Sequence, residues 1–135
     1  MLSKDLELTL AAAFREAESR RHEYVTLEHL LYAIVHNEQG AAIVSACGGE
    51  PHQLRGQLEA FFTDTLERVP GERPYELELT TTVRRLLDRV VTQVKGAERS
   101  EAHAGDVLAA ILQEQDSHAA YFLRDQGITR LDILD

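Results

Sequence analysis

Tryptophan is missing from this 135-residue chain, which has one cysteine, one methionine and three prolines. Each shortage excludes something. The lone Cys47 can form no intramolecular disulfide and no cysteine-only zinc site, which fits a reducing compartment. Aromatic residues make up only 6% of the chain, so Leu, Ala, Ile and Val have to build the core. Basic residues are outnumbered, 14 against 23 acidic, for a net charge of −9. That balance argues against nucleic acid, whose binding rests on neutralising phosphates with Lys and Arg. It argues equally against an anionic membrane surface. No run approaches the roughly 18 consecutive apolar residues of a membrane span. The start, "MLSKDLELTL", has no basic region followed by an apolar stretch, so no secretion signal is expected. The expected location is the cytoplasm.

What the chain does have is helical period, almost throughout. Leu6, Leu10, Ala13, Phe14 and Ala17 form one apolar face, with Ser3 placed to cap the helix and Asp5 and Glu7 in its first turn. A second helix is expected from about Thr26 to His36, and a short third from about Gly40 to Cys47, stopped by Gly48 and Gly49. A fourth starts near Pro51 and carries Leu54, Leu58, Phe61 and Phe62 inward. The stretch "TDTLERVPGERPYELEL", with two of the three prolines, reads as a linker.

After the linker the pattern restarts. A shift of 77 residues lays Leu6 on Val83, Leu10 on Leu87, Phe14 on Val91 and Ala17 on Val94. The same shift lays "LLYAI" on "VLAAI", Ala42 on Ala119 and Leu54 on Leu131. Chance matching of two amphipathic helices explains one pair, but not one constant offset over four segments. The expected architecture is a single all-α domain of about eight helices, a pseudo-twofold duplication of a four-helix motif. Repeat one covers about residues 1–63, the linker about 64–79 and repeat two about 80–135. The chain stops while still helical, so it is expected to belong to something longer.

One stretch invites a catalytic reading. "RRHEYVTLEH" opens like the zinc-protease signature His-Glu-x-x-His, but the position four after His22 is Thr26, so the signature fails. Thr26 reads better as a helix cap, which places His22 and Glu23 in the preceding loop and His29 on the first turn. Glu18 and His22 stand four apart near the end of the first helix. A small metal-dependent enzyme using Glu18, His22 and Glu23 is the alternative from another functional class. No phosphate-cradling G-x-x-x-x-G-K-[ST] loop occurs, Lys4 and Lys95 being the only lysines, and no G-x-S-x-G occurs. Cys47 reads as a small core residue, and His103 with Asp106 as a helix start. No catalytic residue and no metal ligand is assigned.

The residues "LELTLAAAFREAESRRHEYVTLEHLLYAI", Cys47, "LRGQLEAF" and "GITRLDIL" together resemble the Clp N-terminal domain of bacterial AAA+ protein unfoldases. Within that family the resemblance is greatest to the ClpA type, and it covers the whole chain; "TLEHLL" alone would mark only the wider family. The resemblance implies a longer protein with two ATPase modules that bind ATP and magnesium, form a hexamer and feed the ClpP peptidase. This domain itself would be monomeric and free of cofactors. It would receive protein substrates and dock the ClpS adaptor, which delivers proteins with destabilising N-terminal residues. The alternative within the family is the N-domain of a ClpB- or ClpC-type chaperone that binds substrate or another adaptor.

The resemblance also selects a face: Glu23 and Glu28 from the loop and helix start after helix one, and Thr80, Thr81, Arg85 and Arg89 from the start of the second repeat. Arg130 adds to it from the last helix. Loops carry function more often than helix faces do, and Arg is enriched at interface hot spots. Arg85 and Arg89, four apart, repel mildly unless a partner supplies anions. The bland alternatives are that Glu28 complements its helix dipole and that the arginines pair with local acids such as Asp88. Tyr24 and Val25 either supply an apolar patch, or Tyr24 staples the helix start from beneath. Two features depart from the ClpA pattern. The linker is shorter and differently composed, and the acidic surplus favours a partner with basic groups.

Overall fold

A computed structural model describes residues 1–134, except for the side chains of Leu131 and Leu134. Eight helices and two short strands follow one another among these residues. They are α1 (Lys4–Ser19), β1 (Tyr24–Val25), α2 (Leu27–His36), α3 (Glu38–Ala46), α4 (Pro51–Asp64), β2 (Glu78–Leu79), α5 (Thr81–Gly96), α6 (Ala104–Gln113), α7 (His118–Asp125) and α8 (Arg130–Leu134). None of these helices is long and apolar enough to cross a membrane.

The repeat is visible in the element bounds. Shifting α1 by 77 residues gives α5, and the same shift carries α2 onto α6. The caps follow it: the Ser3 hydroxyl accepts the Leu6 N–H at 3.0 Å, and the Thr80 hydroxyl accepts the Val83 N–H at 3.1 Å. So do the helix ends. Arg21 and Glu98, again 77 apart, both take the left-handed conformation, with φ of 54° and 59°, which turns the chain out of α1 and α5. Burial repeats as well: Leu6 and Val83 are buried, Leu10 and Leu87 half-buried, Phe14 and Val91 half-buried, Ala17 and Val94 buried.

The two repeats are stitched together reciprocally. Val25 pairs with Leu79 in the two-stranded parallel sheet, and Leu2 forms a parallel bridge to Ala102. Under the repeat shift Leu2 becomes Leu79 and Val25 becomes Ala102, so each repeat's leading residue pairs with the other's loop. The Ser3 N–H donates to the Ala102 carbonyl at 2.9 Å, and the Thr80 N–H donates to the Val25 carbonyl at 3.1 Å. Bonds that exchange when the repeats exchange are the mark of a pseudo-twofold arrangement.

Inside this frame α2 and α6 form the centre. Every residue from Leu27 to Val35 is buried, as is every residue from Val107 to Leu112. A helix apolar on all sides has to be covered on all sides. One core cluster therefore draws on both repeats, with Leu30, Leu31 and Phe62 beside Leu86, Leu108 and Ile111. Cys47 caps the end of α3 and packs at the edge of this core.

Several expectations shift. The third helix starts at Glu38 rather than Gly40, because the Asn37 side chain accepts from the Gln39 and Gly40 N–H groups. The matching of Ala42 with Ala119 lapses, since Ala42 is exposed and Ala119 fully buried. α7 begins later than the shift would place it, after its own cap Ser117. The side chain of Leu131, matched with Leu54, lies outside the described residues. The linker ends in β2, and its loop is tied down rather than slack. Tyr24 lies 44% exposed, so it does not staple the helix from beneath; Val25 is the buried one.

Gly40 is the tightest approach in the first repeat. A Cβ there would stand 2.0 Å from the Ile34 carbonyl oxygen. Gly40→Ala is expected to destabilise the domain by at least about 2 kcal/mol, the cost of overpacking against backbone that cannot move aside. Urea denaturation of the purified domain measures it.

Candidate partner-docking face

The face begins where α1 ends. After the left-handed Arg21, the chain lays His22 inward, exposes Glu23 and Tyr24, buries Val25 and enters α2 at Thr26. Thr26 caps α2 as expected, and its partner in the capping box is His29. The Thr26 N–H donates to His29 Nδ1 at 3.0 Å, and the His29 N–H donates to the Thr26 hydroxyl at 3.4 Å. The third helical position of such a box usually carries Glu or Gln; here an imidazole does that work.

The other nitrogen of the same ring meets His22. His29 Nε2 lies 2.8 Å from His22 Nδ1, and both residues are buried. The Thr26 N–H points into Nδ1, with the Thr26 hydroxyl also 2.9 Å away, and this backbone donor assigns the His29 proton to Nε2, from which it is donated to His22. His29 also stacks on Phe62, with ring centroids 4.7 Å apart and planes 9° from parallel. Burial, then the neighbouring His22 and Arg20, push the His29 pKa down to about 3. Burial and then Arg20 also lower His22, opposed by a backbone hydrogen bond at Phe62 and by Glu16.

This pair changes the reading of "RRHEYVTLEH". The two histidines that matter stand seven apart and face each other. Glu18 and Glu23 are exposed while the His22 ring turns inward, so the structure does not bring together the three residues of the metal-dependent alternative. Among the described residues no group of three or more His, Cys, Asp or Glu could hold a metal ion.

A strap, residues 65–77, closes over the same turn. The Val69 N–H donates to the Arg21 carbonyl at 2.7 Å, and the Arg21 side chain donates to the carbonyls of Val69 and Arg73 at 3.2 and 2.9 Å. The Tyr75 hydroxyl donates to the His22 carbonyl at 2.7 Å, and the Arg21 guanidinium lies 5.0 Å from the Tyr75 ring centre.

One hollow lies between this turn and the strap, and two more lie where the repeats meet. Glu23 borders the first, of about 340 Å³, with Glu67, Glu76, Tyr75 and Arg68 from the strap. Tyr24, Thr80, Thr81 and Arg84 line the second, of about 300 Å³. Thr26, Glu28, Thr80 and Thr82 line the third, of about 220 Å³, with Ser117 and His118 of α7. The structure thus gathers Glu23, Glu28, Thr80 and Thr81 on one face. Arg85 is exposed one turn along α5 from Thr81. Arg89 follows a turn later, half-buried and paired with Glu114 at 3.2 Å. Arg130 is exposed at the start of α8 and lines none of these three hollows.

Glu28 is the surprise among them. It is only 7% exposed, and its carboxylate accepts the Ala119 N–H at 2.9 Å. An acid in the first turn of α2 thereby satisfies a free N–H at the start of α7, in the other repeat. Its carboxylate is engaged inside the fold, while the residue still borders the third hollow. Sequence reasoning also missed the His22–His29 pair, Arg84, and the α7 wall of Ser117 and His118. Only the Thr26-x-x-His29 spacing of the capping box could have signalled the first.

The profile of the family described as "Clp repeat (R) N-terminal domain" matches residues 1–126. The chain belongs to this family. Among curated relatives, a "ClpA homolog protein" of Fuscovulum blasticum is 36% identical over 134 residues. That stretch is 98% of this chain but 17% of the relative, so the chain spans about a sixth of that protein's length. Solved Clp N-domains share the fold. The N-domain of Hsp104 from Candida albicans superposes with a TM-score of 0.79 at 13% identity, covering 98% of this chain and 85% of that one. A ClpV N-domain in complex with VipB peptide superposes with a TM-score of 0.78 at 23% identity, covering 98% and 81%.

Two outcomes follow for this Clp domain. Folded His29 holds its proton far less tightly than the ordinary value of 6.5, so below that pH the unfolded chain binds more protons. Its contribution to stability is complete above pH 6.5 and is lost as the pH falls toward 3, by about 2 kcal/mol between pH 6.5 and 5. Urea melts at pH 7.5 and 5 should show that loss in the wild type and a smaller one in His29→Gln. Separately, Glu28→Ala leaves the Ala119 N–H without its acceptor and should cost about 1–3 kcal/mol, whereas Glu28→Gln keeps an acceptor and should cost less. Thermal unfolding of the two variants compares them.

Proposed function

We propose that this Clp domain is the docking module of a ClpA-type unfoldase and that its seam face binds the ClpS adaptor. In this reading ClpS brings protein substrates with destabilising N-terminal residues. Modules beyond this domain bind ATP and magnesium, assemble the hexamer and pass the substrate to the ClpP peptidase. The domain itself is a monomer and performs no chemistry.

The observation that carries the reading is the seam, where the exposed Tyr24 of the first repeat shares a hollow with Thr80 and Thr81 of the second, while Glu23, next to Tyr24 in the chain, borders the hollow under the strap. Its charge is divided. Glu23, Glu67 and Glu76 outnumber Arg68 around one hollow, while Arg84 and Arg85 stand on α5 beyond Thr81. A partner with a basic and an acidic patch would dock in one orientation, with the basic one against the strap side. The relationship to a ClpA homolog favours this type of unfoldase over others of the family. A ClpV N-domain of the same fold held in complex with VipB peptide supports the use of the fold to bind protein segments.

Calorimetric titration of the domain with a ClpS adaptor tests the reading. The expected result is saturable one-to-one binding, weakened about tenfold or more, roughly 1.4 kcal/mol, by Arg85→Glu or Thr81→Glu with the thermal midpoint unchanged. A folded wild-type domain that does not bind ClpS would overturn the reading and point to the N-domain of a ClpB- or ClpC-type chaperone.

A further inference from the structure

We propose that the buried His22–His29 pair is a proton-operated latch: a proton added to it opens the α2 cap and frees the strap of residues 65–77. The free lone pairs of the two rings set the constraint. Two neutral imidazoles offer one free lone pair each. In His29 it is on Nδ1, which takes the Thr26 N–H at 3.0 Å and has the Thr26 hydroxyl beside it at 2.9 Å. In His22 it is on Nδ1, which takes the His29 Nε2–H at 2.8 Å. Both are occupied by donors. A further proton must therefore set two N–H groups against each other, either between the rings or between His29 and the Thr26 backbone; in the second case the Thr26 hydroxyl can take the new proton, but the Thr26 N–H is left without its acceptor. One of the two hydrogen bonds has to break, and neither buried ring can turn to water without moving its neighbours.

What moves is decided by what is tied to residues 21 and 22. His22 forms an antiparallel bridge to Arg68, its carbonyl takes the Tyr75 hydroxyl, and Arg21 holds Val69 and Arg73. The strap thus hangs on the two residues that carry the latch into the chain. The chain then leads from the strap into β2 and Thr80, which pair with β1 and close the seam.

The charges around the pair favour opening rather than resisting it. From α1, Arg20 faces both rings, and its charge is partly answered by Glu16 at 2.6 Å. From the strap, Arg68 adds a second positive group beside His22. From α4, Phe62 presents an apolar ring face to His29. Beyond Phe62, Glu59 is engaged by the Tyr32 hydroxyl at 2.7 Å. Among these groups only the Phe62 backbone and Glu16 attract a proton to the pair, and Glu16 is ion-paired already. Burial adds to the same effect, lowering the affinity of both rings for a proton.

If the seam face docks a partner, acid would loosen that face as well. That consequence rests on the proposed docking function, but the test of the latch needs no partner. Amide hydrogen exchange is followed from pH 7.5 to 5 in the wild type, in His29→Gln and in the double variant His22→Asn with His29→Gln. Gln at the third helical position serves a capping box and does not titrate in this range. In the wild type, exchange at Thr26 and Val69 corrected for intrinsic rate should rise about tenfold or more relative to Leu31 at pH 5. In the variants that ratio should change less than about twofold. Strap and core amides rising together, or an equal change of ratio in variants that fold, would overturn the latch. Ring nitrogen spectra of the wild type decide the matter should neither variant fold. Protonated imidazoles at pH 5 with Val69 still protected would overturn it, and loss of Val69 protection in step with ring protonation would support it.

Discussion

Two backbone hydrogen bonds organise this domain: Ser3 N–H to Ala102 and Thr80 N–H to Val25. Each joins the start of one repeat to the loop before the central helix of the other. The central helices α2 and α6 are buried along nearly their whole length, and one core cluster drawn from both repeats covers them. The crossed bonds hold the units in the arrangement that covers both. The helix caps Ser3 and Thr80 sit at the same residues, so helix starts and the seam are specified together.

The proposed docking face is a product of that seam. Tyr24 and Thr26 arrive from the first repeat, Thr80, Thr81 and Arg84 from the second, and they meet because β1 pairs with β2. Such a face is largely formed before a partner arrives, which limits the entropy lost on binding. Glu28 shows how closely stability and the face are interwoven. It borders a hollow of that face, yet its carboxylate is committed to the N-terminus of α7. Loss of binding in a Glu28 variant would therefore reflect the packing of α7 as much as any contact with a partner.

The helices and their repetition were legible because apolar period and cap chemistry are local. The 77-residue offset appears in the sequence and again in the bounds of α1, α2, α5 and α6. What escaped was non-local. The strand pairing of Val25 with Leu79 spans the linker, and two residues per strand leave no alternating pattern to read. The burial of Glu28 depends on a backbone N–H that lies 91 residues away. The His22–His29 pair needs a left-handed Arg21, a conformation that few non-glycine residues adopt and that no neighbouring residue type announces. The strap looked like a spacer because its ties run to backbone carbonyls, which every residue offers.

The central claim is that one partner surface is assembled from both repeats across the seam. Backbone amide shift mapping on the isotope-labelled domain, with and without a ClpS adaptor, tests it most directly. The account predicts one contiguous footprint on both sides of the seam, over residues 23–26 and over Thr80 to Arg89, with α3 unperturbed. A footprint confined to a single repeat, or centred on α3 and α8, would contradict it.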